Sequence, residues 1–185
     1  LTDLMDHRTP AMLAKLATAP RPAEAPIPAD PERRVYPLSP SQEALWSIAQ
    51  AGQGGAEYAV AAGGRTARRL DPDLAREAFR RVVARHPALR TTFPEESGAS
   101  MEGPLQAVQD EPRFDFSLHD FSARPAAERE AAARAHAQGL ARQPFDLAEG
   151  PLVRLALYDL GAEGFGCLLA AQHLVIDGTS LALVM

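Results

Sequence analysis

Hydrophobic residues recur at helical spacing in several segments of the chain. The clearest helix opens at Asp71-Pro72, and it places on one predicted face Leu74, Ala75, Ala78, Phe79, Val82 and Val83. It should end near His86-Pro87, because a residue that precedes proline avoids the helical region. A first helix is predicted to start at Thr9-Pro10, and a second to span 39–50. Another should span 125–141, with Ser122 as a candidate cap, and the last should start near Gly178 or Thr179.

Other segments have the pattern of β-strands. Apolar and polar residues alternate over 153–158, which is typical of a half-buried strand. The apolar run 165–173 predicts a central strand, and 159–164 should join the two strands as a hairpin turn. Shorter strands are predicted over 58–62 and within 103–116. The order of elements predicts a mixed α+β fold with a mainly antiparallel sheet flanked by helices.

Composition narrows the class of protein. Of the 185 residues, 46% are hydrophobic and 23% are charged, which suits one globular domain with a short appendage. The net charge of -5 and the lack of a basic stretch argue against a nucleic-acid partner. We recognise no signal peptide in the sequence. No apolar run approaches the ~20 residues that a membrane span needs. The single cysteine, Cys167, lies in an apolar run as a packed residue would, and it favours the reducing cytoplasm.

A change of composition divides the chain. Five prolines lie within 18–34, which indicates an extended, semi-rigid linker. The main domain begins near Val35. The chain starts at Leu1 and stops at Met185 inside an apolar stretch, and we interpret both ends as cuts through a longer polypeptide.

The segment from Gln172 to Gly178 is the main candidate for chemistry. His173 ends an apolar strand, and Asp177-Gly178 turns the chain into a helix. A histidine in this place can face a cleft with a fixed ring orientation. The alternative is a satisfied core histidine followed by an ordinary Asp-Gly turn. The His-x3-Asp spacing also resembles that of metal ligands, but no further histidine or cysteine cluster accompanies it, so a metal site is not favoured.

Four segments together point to a family. They are 37–46 (PLSPSQEALW), 85–93 (RHPALRTTF), 144–147 with 150–154 (PFDL and GPLVR), and 172–180 (QHLVIDGTS). In this order and spacing they resemble the motifs of condensation domains of nonribosomal peptide synthetases. The resemblance covers about residues 35–185, which is only the N-terminal lobe of that domain.

The resemblance implies a fold similar to chloramphenicol acetyltransferase, of which one of two lobes is present. In the family, the lobes form a V with the histidine motif in a tunnel between them. Thioesters tethered to an upstream donor and a downstream acceptor carrier protein enter from opposite faces. The implied partners are these carriers, the second lobe and an adjacent adenylation domain. No cofactor is implied in the chain itself, since phosphopantetheine belongs to the carriers.

The first ten residues resemble the last helix of a carrier protein. The alternative is a short helix followed by a linker. The expected organisation is a carrier tail over 1–17, a linker over 18–34 and the truncated condensation lobe over 35–185.

The resemblance also implies roles for individual residues. His173 matches the catalytic histidine, and Gly178 matches a glycine whose backbone N–H lies close to the thioester. Asp177 matches an aspartate that holds the motif through a salt bridge, with Arg85 as the candidate partner. Arg90 matches an arginine with a mainly structural role. For both arginines the alternative is a surface charge at a helix end.

Gln172 departs from the family pattern, which usually has histidine there. Strand alternation places Gln172 and His173 on opposite faces, so Gln172 should support the site from outside it. A glutamine can donate and accept hydrogen bonds as neutral histidine can, yet altered activity stays open. Trp46 is interpreted as a core anchor. No partners are assigned to the histidines His7, His86, His119 and His136.

The functional hypothesis is an amide-forming acyltransferase, and four alternatives remain in view. An epimerization domain would also suit Val-Ile-Asp-Gly. A heterocyclization domain is disfavoured, because its motif has aspartate where this chain has Gln172 or His173. A free-standing acyltransferase is disfavoured by the carrier-like tail. A non-catalytic carrier-docking module is favoured by Gln172 alone. Because one lobe supplies only one wall of the tunnel, residues 1–185 by themselves are expected to be inactive.

Overall fold

A computed structural model describes residues 9–18, 30, 32–53, 58–94 and 103–184. The chain divides into two units, 1–32 and 33–185. In the first unit, helix α1 spans Pro10–Thr18, and the Thr9 hydroxyl accepts a hydrogen bond from the N–H of Met12 at 3.3 Å. The predicted helix start is therefore confirmed. Most of the proposed linker lies outside the described residues, and the carrier tail stays a prediction.

The second unit contains all the strands that the structure describes. Its main elements in chain order are β1 (Val35–Pro37), α2 (Pro40–Ile48), β2 (Ala59–Thr66), α3 (Pro72–Arg85), β3 (Thr91–Thr92), β4 (Leu105–Val108), β5 (Asp115–Asp120), α4 (Ala126–Ala141), β6 (Val153–Asp159), β7 (Phe165–Gln172) and α5 (Gly178–Val184). Short helical turns cover Ala49–Gln53, Pro87–Arg90 and Gly161–Glu163.

The strands form two sheets. The larger has the order β2-β7-β6-β5, and the smaller has the order β1-β4-β3. Every strand pair is antiparallel except β5 with β6, which is parallel. The predicted α+β fold with a mainly antiparallel sheet is confirmed. Strand β7 lies between β2 and β6, as the apolar run predicted.

Local sequence signals account for two helix starts. The Ser39 hydroxyl accepts from the N–H of Gln42, and the Gln42 side chain accepts from the N–H of Ser39, which completes a capping box on α2. The Asp71 carboxylate accepts from the first N–H groups of α3. The prediction of Ser122 as the cap of α4 was wrong. Pro125 occupies that position without a side-chain hydrogen bond, and the N–H of Ser122 instead donates to Asp120.

Strand β6 corrects another prediction. It was expected to be half-buried, yet Arg154 and Tyr158 are buried along with Val153 and Leu157 on its other face. Arg154 tolerates burial because its guanidinium donates to the Leu140 carbonyl at 2.9 Å and pairs with a strand β5 carboxylate. The polar position in the alternating pattern of β6 is therefore a buried, paired arginine, Arg154, and does not mark a solvated face.

The β6–β7 hairpin turns at a position that only glycine fits. Gly164 has a φ of +92°, and a Cβ added there would lie 2.1 Å from the Thr66 carbonyl oxygen. The predicted turn over 159–164 is confirmed, with β6 ending at Asp159 and β7 beginning at Phe165.

The core is built around β6 and β7, with Phe79 and Val83 of α3 contributing from outside the sheet. Leu74, predicted on the same helix face and located in the first turn of α3, is 69% exposed. Trp46 packs against the core, as interpreted from the sequence. Among the described residues, no helix combines the length and the apolar composition that a membrane crossing requires. The buried end of β7 is what places the candidate site.

Candidate active site

His173 lies directly after the last residue of β7. Its backbone N–H donates to the carbonyl oxygen of Tyr58 at 2.9 Å, and a turn closes where the N–H of Val175 donates to the carbonyl of Gln172 at 3.0 Å. The side chain of His173 is exposed, although the residues on either side of it are buried. The backbone is thus fixed by the sheet while the ring faces outward, which is the arrangement that a site histidine requires.

Gln172 and His173 face in opposite directions. Gln172 is only 2% exposed, and its side-chain oxygen accepts a hydrogen bond from the N–H of His173 at 2.6 Å. The departure from the usual histidine therefore places a buried amide behind the site, where it bonds to the backbone of His173. This geometry gives Gln172 a supporting position and keeps its side chain away from the exposed surface.

Asp177 lies directly before the first residue of helix α5. Its carboxylate accepts from the N–H of Ser180 at 2.7 Å, and its carbonyl accepts from the N–H of Leu181 at 2.8 Å. The hydrogen bonds with Ser180 lower the pKa of this carboxyl below its usual value, and the nearby His173 lowers it further. Asp177 is therefore ionised near neutral pH and places a negative charge close to His173.

Gly178 is the first residue of α5, where backbone N–H groups lack an intrahelical acceptor. It is exposed, and a Cβ added to it would meet no atom within 4 Å. The fold of this unit does not require a glycine here. An acceptor atom of a substrate could approach the Gly178 backbone without a steric barrier from the described residues.

The expected pair of Arg85 and Asp177 does not form. Arg85 is exposed in the last turn of α3, and no ion pair joins it to Asp177 within the described part of the chain. The carboxylate instead caps its own helix through Ser180, a partner three residues away that needs no tertiary contact. The structure thus brings Asp177 and Gly178 to His173 but leaves Arg85 apart.

Arg90 lies in the turn before β3, and its guanidinium donates to the carbonyl oxygen of Gln109. The N–H of Gln109 donates back to the Arg90 carbonyl at 2.8 Å. These bonds tie the second motif to the end of β4 and support the structural role expected of Arg90.

Sequence reasoning missed a contact between the first and last motifs. The Gln42 side chain donates to the carbonyl oxygen of Leu174, the residue after His173, at 3.0 Å. The sequence predicted a helix over 39–50 but carried no sign of this partner of Gln42.

Sequence reasoning also missed an aromatic cluster, made of His119, Phe121, His136 and Tyr158. The rings of the two histidines lie 4.2 Å apart, and that of Tyr158 stacks on His119 at 5.3 Å. Burial, with a further contribution from His136, lowers the pKa of His119, and burial raises the pKa of Tyr158 to about 12. The cluster joins β5, β6 and α4. It lies apart from His173, with which none of its members shares a ring contact or hydrogen bond in the described structure.

A cavity of about 390 Å³ lies between α4 and the glycine-containing parts of β2 and β7. Its lining includes Tyr158 and Cys167 but none of His173, Asp177 and Gly178. Within the described residues, no group of three or more histidine, cysteine or acidic side chains could hold a metal ion.

Comparison with known proteins places these motifs in one family. A family model described as "Condensation domain" matches residues 32–185. Phosphinothricin tripeptide synthetase PhsB of Streptomyces viridochromogenes is 33% identical over 97% of this chain. One of the plipastatin synthase subunits of Bacillus subtilis is 29% identical over 100% of this chain. The chain spans only 15% and 7% of these two relatives.

Solved structures give the same result for the fold. The starter condensation domain of rhizomide synthetase RzmA has a TM-score of 0.72 at 25% identity, over 82% of this chain and 37% of that one. The first condensation domain of the calcium-dependent antibiotic synthetase, in complex with substrate analogue 2a, has a TM-score of 0.70 at 25% identity, over 81% and 35%. With the family match, the ordered motifs and the exposed His173 all in agreement, the chain belongs to the condensation domain family of nonribosomal peptide synthetases.

Proposed function

We propose that the complete domain containing this chain forms an amide bond by aminolysis of a thioester. The amine nitrogen of the acceptor attacks the acyl carbonyl of the donor, the new C–N bond forms, the C–S bond breaks, and the amine proton passes to the departing thiolate. The observation that carries this proposal is the exposed ring of His173 on a backbone held by β7 and β2.

The chemistry sets what the site must supply. A free α-amine has a reference pKa of ~7.7–8.0, so a sizeable minority is already a neutral nucleophile near pH 7. Base catalysis before the attack is therefore a modest requirement. Orienting the amine against the carbonyl is the larger one, since a well-placed pair gains ~7–11 kcal/mol over a random encounter.

Each site residue then has a proposed role. His173 positions the amine and handles a proton as the tetrahedral state forms or collapses. The Gly178 N–H stabilises the developing oxyanion, an assignment supported by the open space around that residue. Asp177 holds the start of α5 and adds negative charge near His173. Gln172 supports the His173 backbone from the core, and Arg90 anchors the second motif.

The proposed substrates are thioesters carried on the phosphopantetheine arms of an upstream donor and a downstream acceptor carrier protein. The relative named as a phosphinothricin tripeptide synthetase supports a peptide product. We place the activity in the cytoplasm beside an adenylation domain. Because His173, Asp177 and Gly178 are all exposed, a second lobe is needed to enclose the reactants, and residues 1–185 alone should make no amide.

The test is amide formation by the complete domain with both carriers loaded. His173→Ala should lower the rate by about 100-fold or more, the usual contribution of a positioned acid–base group. His86→Ala is the matched control, because His86 is exposed at the end of α3 and should leave the rate near wild type. A His173→Ala variant that retains near-normal turnover would show that the site lies elsewhere.

A second candidate is a docking module that binds carriers without catalysis, and Gln172 is the observation that favours it. The same assay separates the two functions when carrier affinity is measured alongside the product. Retained carrier binding with no amide from the wild-type domain would favour docking, whereas turnover that depends on His173 would exclude it.

A further inference from the structure

The Gln42 side chain connects three separate parts of the molecule through one amide group. Its oxygen accepts from the N–H of Ser39 at 3.0 Å, as part of the cap of α2. Its nitrogen donates to the Leu174 carbonyl at 3.0 Å, and it faces the Gln106 amide of β4 at 3.1 Å. Gln106 is itself held by the carbonyl of Pro37 at 3.1 Å. Helix α2, the smaller sheet and the turn that carries His173 therefore meet at this partly buried amide.

The contact with Leu174 acts on the backbone beside His173. The peptide unit between Leu174 and Val175 has its N–H bonded to Gln172 and its carbonyl bonded to Gln42, so both of its ends are fixed. The peptide unit that precedes His173, between Gln172 and His173, is also fixed. Its N–H donates to the Tyr58 carbonyl, and its carbonyl accepts from the N–H of Val175. The direction of the His173 side chain follows from the orientation of the peptide units around it.

We propose that Gln42 is a positioning residue for His173, which it orients by holding the Leu174 carbonyl 132 positions along the chain. It touches no reacting atom. Gln42 contributes by removing the freedom of the turn to rotate the imidazole away from the reactants. This inference rests on the proposed function of His173, and it assigns to the first motif a part in catalysis beyond starting a helix.

The decisive variant is Q42E. Glutamate keeps the length and the oxygen that caps Ser39, and it is itself a preferred residue at this position of a capping box. It removes both N–H donors and sets a carboxylate oxygen against the Leu174 carbonyl. In the complete domain we expect kcat to fall about 10- to 100-fold, the effect of a misplacement of about 1 Å, with KM for the loaded carriers within about twofold of wild type.

Ser39→Ala is the matched control. It removes the hydroxyl that caps the same helix but leaves the Gln42–Leu174 hydrogen bond in place. We expect a lower melting temperature and an unchanged kcat at temperatures where the variant is folded. If Gln42 served only to stabilise α2, Ser39→Ala would lower kcat as much as Q42E does.

Acidification supplies a signature that a purely structural role would not produce. The carboxyl introduced by Q42E regains a donor O–H once it is protonated, and it can then bond to Leu174 again. The activity of Q42E relative to wild type should therefore rise as pH falls. Taking the ratio at each pH removes any pH dependence that the two proteins share.

A readout independent of turnover keeps the two proposals apart. The imidazole resonance of His173 in the labelled domain should shift in Q42E and stay in place in Ser39→Ala. If the wild-type domain makes no amide, the proposed function fails, and the resonance still tests the position of the ring. If Q42E does not fold, Q42M removes the donors without adding a charge and takes its place. A wild-type kcat and an unmoved His173 resonance in the folded variant would overturn the inference.

Discussion

Two regions of this chain present histidines in different ways. At the end of β7, the backbone of His173 is held within the sheet and its ring is exposed. In the aromatic cluster, the rings of His119 and His136 lie 4.2 Å apart in a tilted arrangement, His119 stacks on Tyr158, and His136 meets Tyr158 edge-on. In the cluster the histidine rings contact other rings, although His136 itself is exposed, whereas at the turn the backbone of His173 carries the structural role. The comparison shows that a histidine's use depends on which of its groups the fold engages.

The largest expected effect tests whether the cluster is structural. Tyr158 is only 2% exposed, so Tyr158→Ala should lower the free energy of unfolding by roughly 3–5 kcal/mol through lost burial and a residual cavity. Urea unfolding measures the loss. The rate of amide formation per folded domain should stay near wild type. A specific loss of turnover in folded protein would mean that the cluster takes part in the reaction, and the comparison would break.

The second largest effect is expected at Gly178, where a substitution should lower the activity and leave the stability nearly unchanged. Gly178→Ala adds a methyl group that meets no protein atom within 4 Å, so stability should change by less than about 1 kcal/mol. If the acyl group approaches the Gly178 backbone, the methyl group should obstruct it and lower kcat/KM by about 100-fold, the usual cost of losing one oxyanion contact. Thermal unfolding and the carrier-loaded assay, run on the same preparation, separate the two outcomes. Unchanged turnover would remove Gly178 from the site.

The smallest effect concerns pH. The pKa of His119 is lowered, first by burial and then by His136, so the unfolded chain binds a proton more readily than the fold does. Stability should therefore decline as pH falls below about 6.5, the unperturbed value for histidine, and the decline should end below the folded pKa. Unfolding free energies from pH 8 to pH 5 measure this slope. His119→Phe should flatten it. A slope that survives His119→Phe would locate the titrating group elsewhere.

Local physics made much of the fold predictable from the sequence. Capping side chains marked the starts of α1, α2 and α3, and an apolar run marked β7. Strand alternation correctly separated the buried Gln172 from the exposed His173. The same alternation gave the wrong burial for β6. It predicted a solvated face, whereas Arg154 is buried in an ion pair with Asp115. A pattern can record polarity, but the partners that permit burial come from distant segments.

The sequence by itself determined the family, the order of the elements and the place of His173 after a buried strand, since these depend on neighbours within a few residues. Only the tertiary structure decided that Gln42 reaches Leu174, that Arg85 forms no ion pair with Asp177 in the described part of the chain, and that the rings of His119 and His136 lie 4.2 Å apart. Each of these facts depends on which side chains the sheets bring within hydrogen-bonding or stacking distance. Hydrogen bonds and ring contacts act over a few ångströms, and the spacing of residues along a chain does not fix such distances between segments far apart in the sequence.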